Sequence, residues 1–297
     1  MSKRFSIIIL AFIALVLPVT AQVKQGLEQQ LKDIIANKKA QVGIAVIING
    51  KDTVTLNNDV RYPMMSVFKF HQALAVAKHL EQNKLPLTTS MHIKKTDLHA
   101  DTYSPLRDKY PQGNIDMSIG DLLVYTLQLS DNNACDILFN NIAGIKETDS
   151  YIRSLGIEDF SITTTENNMH RDFQLCYQNW TSPLDAAKLL EIFVTRPILA
   201  EPYHSFIKRT MTECETGKDR LVKPLLETNA VVGHKTGTGD RNEKGQLIGI
   251  NDIGFVSLPD GQRYSIAVFV KDSEESNENT AQIIADISKV VYRYITQ

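Results

Sequence analysis

The sequence lacks several features that would assign it to a specialised class of protein. Its 297 residues include only three cysteines, which excludes a dense disulfide framework. Positive and negative charges nearly balance, with 32 Lys and Arg and 34 Asp and Glu. This balance argues against a basic nucleic-acid binder and against an acidic disordered tail. With 15 Gly, 10 Pro and 43% apolar residues, the composition is that of one large globular domain or two packed subdomains.

No apolar run reaches the roughly 20 residues that a membrane-spanning helix needs. The longest run, Phe5–Leu17, follows Lys3 and Arg4, and Pro18 and the small residues 19–21 come after it. A basic start, a short apolar run and a small-residue end are typical of a secretory signal peptide. We therefore predict a signal peptide over residues 1–21, in preference to a membrane anchor, and an exported protein without membrane attachment after cleavage.

Cysteine is scarce and irregularly spaced. Cys135, Cys176 and Cys214 form no C-x-x-C pair, so their spacing matches no zinc site. Export permits disulfides, but an odd number leaves at least one thiol free. Buried free thiols are the favoured interpretation. One disulfide among the three is the alternative, and the sequence does not select a pair.

Strand and helix patterns occupy different parts of the chain. Turn sequences at Asn49-Gly50 and Asp260-Gly261 separate strand patterns near both ends. The strand patterns cover residues 42–49, 52–56, 231–238, 247–257 and 264–271. Helical periodicity covers residues 25–39, 67–83, 119–129, 134–142, 183–196 and 279–295.

Strands at both ends around a helical middle predict an α/β (α+β) fold. An antiparallel five-stranded sheet flanked by the terminal helices would use residues 22–62 and 216–297. Residues 63–215 would form an all-α subdomain beside it. We expect a small-molecule site in the cleft between the two subdomains.

Three short motifs occur in one order: Ser66-Val67-Phe68-Lys69, Ser130-Asp131-Asn132 and Lys235-Thr236-Gly237. Each is weak alone, and a second S-x-x-K pair starts at Ser205, but only Ser66 precedes the other two motifs. A serine is a poor nucleophile unless a base takes its proton. If Ser66 opens a helix, Lys69 lies on the same face, next to its hydroxyl. The alternative is that Ser66 is merely a helix N-cap.

Other site classes fit the sequence poorly. A phosphate loop requires Gly immediately before its Lys, and His234 stands before Lys235. There is neither an H-E-x-x-H nor a G-x-S-x-G sequence. In the strand pattern that carries Lys235, Gly237 would let a ligand lie flat, and the Thr238 amide would face it.

Together the three motifs resemble those of the serine penicillin-recognising enzymes, and most closely of the class A β-lactamases. The resemblance covers essentially the whole mature chain and implies a β-lactamase/transpeptidase-like fold. It implies Ser66 as nucleophile, Ser130 as a proton relay, and either Lys69 or Glu166 acting through a water as the acceptor of the Ser66 proton. Glu166, which stands in a polar stretch, would activate the hydrolytic water. The Ser66 and Thr238 amides would form the oxyanion hole.

The resemblance also implies how substrate is bound. The implied binding residues are Tyr103, Asn132, His170, Arg220, Lys235, Thr236, Gly237 and Thr238. The substrate would be a small β-lactam antibiotic, with no cofactor, no metal and no nucleic-acid partner. The protein would be a monomer in the bacterial periplasm.

The chain departs from the family pattern near Glu166. Many class A enzymes join an Arg and an Asp across this loop, but those places hold Thr164 and Asn179. We hypothesise that Asn179 bonds Asp136 instead and that the loop opens to admit bulky cephalosporins. This resembles the extended-spectrum, cephalosporin-hydrolysing branch of class A. Ala73 stands where the family's common disulfide would begin, so that disulfide is expected to be missing.

Two alternatives share the three motifs. A D-alanyl-D-alanine carboxypeptidase or penicillin-binding protein would be acylated but would lack the glutamate that releases the acyl group. A non-catalytic β-lactam sensor would be acylated and signal, but it would normally carry a membrane segment. Glu166 favours the hydrolase over both.

Overall fold

The computed structural model of this protein describes residues 19–297. Most of the predicted signal peptide, residues 1–18, lies outside the described residues, and that assignment stays a prediction. Within the described part, no helix is both long enough and apolar enough to span a bilayer.

Strands and helices follow one another along the described chain. The strands are β1 (Gln41–Ile48), β2 (Asp52–Leu56), β3 (Tyr62–Pro63), β4 (Ser90–Ile93), β5 (Ile115–Ser118), β6 (Phe160–Ser161), β7 (Trp180–Thr181), β8 (Val231–Thr238), β9 (Leu247–Ser257) and β10 (Arg263–Ser273). The helices are α1 (Val19–Ile35), α2 (Phe68–Gln82), α3 (Pro105–Lys109), α4 (Ile119–Leu127), α5 (Asn132–Asn141), α6 (Ile145–Ser154), α7 (Glu166–Arg171), α8 (Pro183–Thr195), α9 (Tyr203–Thr212) and α10 (Asn277–Ile295). Short 3₁₀ segments cover Met65–Val67, Lys95–Asp97, Phe173–Gln178 and Lys223–Leu225.

The main sheet has five antiparallel strands in the order β2-β1-β10-β9-β8. It joins the two parts of the chain, because β1 pairs with β10 along its whole length. β1 and β2 meet at Asn49 and Gly50, whose φ angles of 52° and 69° are those of a tight hairpin turn. The predicted five-stranded antiparallel sheet is therefore confirmed.

Apolar side chains cover both faces of this sheet. On one face α1 and α10 bury Leu27, Leu31 and Ile287 beside Val46 and Val268 of the strands. This agrees with the helical periodicity at both ends of the described chain. Burial of this kind stabilises a fold by roughly 25 cal/mol per Å² of apolar surface.

The other face packs on α8 and, beyond it, on helices around α2. Phe70 of α2 meets Phe193 of α8 edge to face, with ring centroids 5.5 Å apart. Nearly all of the first three turns of α2 is buried, as expected for a helix enclosed on every side. The start of α2 therefore lies at the junction of the sheet and the helices.

The middle of the chain is less purely helical than predicted. β4 pairs with β5, and β3, β7 and β6 form a third small sheet. These strands have two to four residues each, which is too short for a detectable period-2 pattern. α1 ends at Ile35 rather than at residue 39, because its apolar positions end there. The subdomain boundaries at 62/63 and 215/216 stay a prediction.

His71 gives the core a pH-sensitive element. Its ring is fully buried in α2, and within the described chain neither ring nitrogen has a hydrogen-bond partner. Burial lowers the pKa of His71 from 6.5 to about 4, which the nearby Val67 carbonyl opposes only in part. The unfolded chain therefore takes up this proton at a higher pH than the folded chain does. Folding stability falls as the pH drops through the window from 6.5 to about 4.

We expect the protein to lose about 2–3 kcal/mol more stability than His71→Leu between pH 7.5 and pH 4.5. Leucine fills similar space and cannot be protonated, while the carboxyl groups titrate alike in both proteins. Urea unfolding at both pH values measures the difference. Equal losses in the two proteins would contradict the expectation.

Candidate active site

Ser66 lies in the 3₁₀ turn Met65–Val67 that leads directly into α2. The helix begins at Phe68, so Ser66 precedes it rather than opening it. Met65 has a φ of 48°, an uncommon left-handed conformation for a residue with a side chain. Neither the turn nor α2 has a side-chain N-cap, so the interpretation of Ser66 as a helix cap is wrong.

β8 and β9 pack against this turn and hold it in place. A Cβ atom at Gly237 would lie 2.5 Å from the carbonyl oxygen of Met64, so only glycine allows this approach. From β9, Asn251 Nδ2 donates to the carbonyls of Pro63 and Met64 at 2.8 and 3.2 Å. Gly237 thus serves the packing of the Ser66 turn on β8.

Lys69 connects Ser66 to the other motifs. Its fully buried Nζ donates to Ser66 Oγ at 3.0 Å and lies 2.9 Å from Glu166 Oε1. It also donates to the Ser130 carbonyl at 2.7 Å and to Asn132 Oδ1 at 2.6 Å. Ser66 Oγ in turn donates to Glu166 Oε1 at 3.1 Å. Three stretches of sequence that lie far apart therefore meet around one amine.

The third motif contacts this cluster through the side chain of Ser130. Lys235 Nζ donates to Ser130 Oγ at 2.8 Å and to the Thr236 carbonyl at 2.9 Å. Burial, followed by the positive charge of Lys69, lowers the pKa of Lys235 to about 7. Ser130 itself has a φ of 60°, a strained conformation that surrounding contacts must hold.

Asp131 supplies those contacts. Its fully buried carboxylate accepts from Ser104 Oγ, from the Leu106 amide at 2.6 Å and from the Ala134 amide at 2.8 Å. Burial raises the pKa of Asp131, and these hydrogen bonds oppose the rise. Asp131 is the N-cap of α5, so one side chain fixes both the helix start and the loop that faces it.

Glu166 is the first residue of α7 and is buried, with 7% of its surface exposed. Glu166 is therefore not a solvated surface residue, although it follows a polar stretch of sequence. The amides of Glu166 and Asn167 donate to the two oxygens of Asp136 at 2.9 and 2.8 Å. A carboxylate suits this position, because the first amides of a helix have no partner within it. Burial raises the pKa of Asp136 to about 6, and the two amides oppose this.

The hypothesised hydrogen bond between Asn179 and Asp136 is wrong. Asn179 Oδ1 accepts from the amides of Thr163 and Thr164 at 2.8 and 3.1 Å. Its Nδ2 donates to the Thr164 carbonyl at 2.9 Å. The two places of the missing Arg–Asp pair still meet, but through neutral hydrogen bonds to backbone. Asp136 is occupied by the α7 amides instead, since a charged acceptor is attracted to a helix N-terminus.

Arg220 is buried rather than an exposed surface cation. Its Nη1 donates to the carbonyls of Gly237 and Asn251, both at 2.9 Å. Its Nη2 donates to Thr238 Oγ1 at 2.6 Å. The guanidinium therefore braces the end of β8 and orients the Thr238 hydroxyl.

These groups open onto one cavity of about 430 Å³. Among the residues predicted from the sequence, the lining includes Ser66, Tyr103, Ser130, Asn132, Glu166, His170, Thr236 and Thr238. Tyr103 is 57% exposed at the rim. Lys69, Lys235, Arg220 and Gly237 lie directly behind the lining. The four predicted stretches thus form a single site in which Ser66 contacts the buried Lys69 and Glu166.

Comparison with known proteins identifies the family. The sequence model of the "Beta-lactamase enzyme family" matches residues 25–295. The chain belongs to this family. This β-lactamase is 40% identical over 293 residues to a β-lactamase of Bacteroides uniformis, covering 98% of this chain and 99% of that one.

Solved structures place this β-lactamase in class A. It superposes on a class A β-lactamase from Bacteroides cellulosilyticus with a TM-score of 0.88 and 44% identity, covering 92% of this chain and 98% of that one. For the TLA-1 extended-spectrum β-lactamase the TM-score is 0.89 and the identity 40%, with 92% and 99% covered. The protein is therefore a serine hydrolase that opens the β-lactam ring, an activity that confers resistance to these antibiotics.

All three cysteines of this β-lactamase are free. Cys135 and Cys176 are buried, and Cys214 is partly exposed. Free thiols were the favoured interpretation, which is confirmed, although Cys214 is not fully buried. Within the described residues, no cluster of three or more His, Cys, Asp and Glu is suited to a metal ion.

Several cavity residues of the β-lactamase were not found from the sequence. They are Met65, Asp101, Thr102, Met169, Phe173, Cys176, Thr216, Gly239 and Asp240. Asn132 Nδ2 donates to Thr102 Oγ1 at 2.7 Å, which ties the second motif to the cavity rim. None of these residues belongs to a motif, and only the folding of the chain brings them to the cavity.

Proposed function

We propose that Ser66 is the nucleophile and that Glu166 takes its proton. The observation that carries this proposal is the 3.1 Å hydrogen bond from Ser66 Oγ to Glu166 Oε1, beside the buried Lys69. As Oγ bonds to the lactam carbonyl carbon, its proton passes to Glu166. The amides of Ser66 and Thr238, which line the same cavity, would hold the oxyanion.

Lys69 was the other candidate for the base. An ammonium group has three donors and no acceptor. The groups that contact Lys69 Nζ are oxygen atoms of Ser66, Ser130, Asn132 and Glu166, all able to accept. This surrounding favours Lys69 as a donor that holds Ser66 and Glu166 in position, and it favours Glu166 as the proton acceptor.

Ser130 is proposed to protonate the leaving nitrogen. As the lactam C–N bond breaks, the nitrogen needs a proton, which the Ser130 hydroxyl supplies. Lys235, 2.8 Å from Ser130 Oγ, returns a proton to it. With a pKa of about 7, Lys235 can give up and regain a proton near neutral pH.

Hydrolysis of the ester then completes the cycle. The proton that Glu166 took from Ser66 first returns through solvent to Lys235, which leaves Glu166 ionised. Glu166 is then proposed to take a proton from water, whose oxygen bonds to the ester carbonyl carbon, and to pass this proton to Ser66 Oγ as the ester C–O bond breaks. Asp136 fixes the position of Glu166 through the α7 amides. His170 lines the same side of the cavity and is proposed to contact this water.

The substrate carboxylate is proposed to bind Lys235, Thr236 and Thr238, with Arg220 orienting the Thr238 hydroxyl. Asn132 would bond the side-chain amide, and Tyr103 would stack against the substrate at the rim. Gly237 is proposed to act by packing rather than by substrate contact. The protein is proposed to act as a monomer in the bacterial periplasm, after removal of residues 1–21.

We further propose a preference for cephalosporins. TLA-1, a close structural neighbour, is named an extended-spectrum β-lactamase. The wall of the cavity next to α7 is apolar, with Met169, Phe173 and Cys176, and Phe173 is 40% exposed. Gly239 and Asp240 also line the cavity. An apolar wall of this kind suits a bulky acyl side chain.

Steady-state kinetics test this preference. We expect kcat/KM for a cephalosporin with a bulky oxime side chain to exceed that for benzylpenicillin by roughly tenfold, a difference of about 1.4 kcal/mol. Phe173→Ala should lower the cephalosporin value more than the penicillin value, because it removes part of the apolar wall. Equal values for both substrates, or equal losses in the variant, would contradict the preference.

A D-alanyl-D-alanine carboxypeptidase was the alternative from the sequence, and the family match argues against it. Glu166 near Ser66 favours the hydrolase, because it gives the acyl-enzyme a base for water. Repeated turnover of a chromogenic cephalosporin supports the hydrolase. One burst followed by lasting acylation would support the peptidase.

A further inference from the structure

Tyr177 lies in the 3₁₀ segment Phe173–Gln178, which forms part of the apolar wall of the substrate cavity. Phe173 and Cys176 of this segment line the cavity, but Tyr177 does not. Its hydroxyl instead donates to Asp272 Oδ1 of β10 at 2.6 Å. Among the residues that the structure describes, no other side chain of this segment hydrogen-bonds to the main sheet. The hydroxyl is therefore the polar link between this wall and the sheet.

The same hydroxyl contacts a second segment that lines the cavity. This is the connection between β8 and β9, residues 239–246, which contributes Gly239 and Asp240 to the lining. Asn242 of the connection donates from Nδ2 to the Tyr177 hydroxyl oxygen at 3.2 Å. Asn242 is itself held in place, since its Oδ1 accepts from two amides of the same connection, both at 3.0 Å. The Tyr177 hydroxyl thus connects two parts of the cavity lining to β10.

The surroundings of Tyr177 keep its hydroxyl protonated. Burial, followed by the hydrogen bond to Asp272, raises the pKa of Tyr177 to about 12, so the hydroxyl keeps its proton at neutral pH. The Nζ atom of Lys271 lies 5.7 Å from the centre of the Tyr177 ring and 3.9 Å from Asp272 Oδ2. The contact therefore joins a neutral donor to a carboxylate, and such hydrogen bonds are stronger than those between neutral groups.

Glu166 is held independently of this contact. The amides at the start of α7 donate to Asp136, which lies in α5. Loss of the Tyr177 contact would therefore release the wall that follows α7 and leave the hydrogen bonds that position the base. The chemical steps should depend little on Tyr177, whereas contacts with an acyl side chain should depend on it.

We propose that Tyr177 is a positioning residue that holds the apolar wall in place for the acyl side chain of bulky β-lactams. This proposal rests on the proposed function, in which that wall contacts the acyl side chain. A wall that is already fixed in its binding position loses less freedom when the substrate binds. Tyr177 therefore lowers KM for substrates that reach the wall and has no effect on substrates without an acyl side chain.

Removing the hydroxyl alone tests this proposal. Tyr177→Phe should raise KM for a cephalosporin with a bulky oxime side chain about fivefold, with a smaller change in kcat. KM for 6-aminopenicillanic acid, which has no acyl side chain, should stay the same. Tyr203→Phe is the matched control and should change neither KM, because its buried hydroxyl donates to the Leu85 carbonyl, outside the cavity lining. An equal rise in KM for both substrates in Tyr177→Phe would overturn the proposal.

The partner of the hydroxyl provides an independent check. Asp272 has a φ of 51°, a conformation that glycine adopts readily, so Asp272→Gly removes the carboxylate without adding backbone strain. This variant should raise the cephalosporin KM as Tyr177→Phe does. The double variant should show no further rise, because both changes remove the same contact. Effects that multiply in the double variant would refute the role of this contact.

Phe173→Ala separates this inference from the proposed function. If Phe173→Ala raises the cephalosporin KM and Tyr177→Phe does not, the wall contacts the substrate without help from Tyr177. That result would overturn this inference alone. If neither variant changes the cephalosporin KM, the proposed contact between wall and substrate is wrong, and the inference is wrong with it.

Discussion

Replacing Glu166 by alanine is expected to trap the enzyme as a covalent acyl adduct on Ser66. The variant loses the base proposed for both steps, but Lys69 remains 3.0 Å from Ser66 Oγ and, without the Glu166 carboxylate beside it, can take the Ser66 proton in its place. The hydrolytic water has no such substitute, so ester hydrolysis should slow more than acylation. General-base groups typically contribute about 10²–10⁴-fold, and we expect a fall in kcat in that range. Intact mass measured during reaction with a chromogenic cephalosporin detects the adduct, and the colour change gives the rate.

Two controls sharpen this experiment. Glu243→Ala removes an exposed glutamate of the β8–β9 connection and should turn over like the unmodified enzyme. Ser66→Ala should give neither turnover nor an adduct. Rapid steady turnover by Glu166→Ala without accumulated adduct would overturn the role proposed for Glu166. If Glu166→Ala turns over slowly and carries no adduct, acylation rather than ester hydrolysis limits its rate.

Replacing Asp131 by alanine is expected to produce the largest loss of stability among the site residues. The change removes the acceptor for Ser104 Oγ and for the amides of Leu106 and Ala134, all in buried surroundings. An unsatisfied buried group costs about 1–3 kcal/mol, so we expect a total of about 3–5 kcal/mol. The loss also frees Ser130 from its strained conformation, and activity should fall with it.

Urea unfolding at neutral pH measures this loss. Asp33→Ala, which removes an exposed carboxylate from α1, is the matched control and should change stability by less than about 0.5 kcal/mol. Asp131→Asn keeps one acceptor oxygen, so its loss of stability should lie between those of Asp131→Ala and Asp33→Ala. A loss below about 1 kcal/mol in Asp131→Ala would contradict the assigned role.

Much of the fold could be predicted because its signals are local. The bounds of β2, β8 and β9 agree with the predicted ranges, since each is a continuous β pattern bounded by turn residues. The Asn49-Gly50 turn follows from the left-handed φ values that this pair tolerates. The short α3 and α7 escaped detection, because one or two turns give too little periodicity.

Partner assignments were predicted less well. The sequence suggested that Asn179 would bond Asp136, because the arginine that pairs at this place in many class A enzymes is replaced by Thr164. It could not show that the unpaired amides at the start of α7 would meet Asp136. Likewise Gly237 suggested a site for close ligand approach, whereas the atom that approaches is the Met64 carbonyl.

The sequence by itself determined the family, the antiparallel sheet formed from both ends of the chain and the stretches that carry the chemistry. These features follow from the spacing of residues within single helices and strands, so neighbouring residues are enough to predict them. Only the tertiary structure decided which groups touch. Ser66 and Glu166 are 100 residues apart, and Ser130 and Lys235 are 105 apart. Such contacts depend on how the sheet and helices pack. No local pattern encodes them.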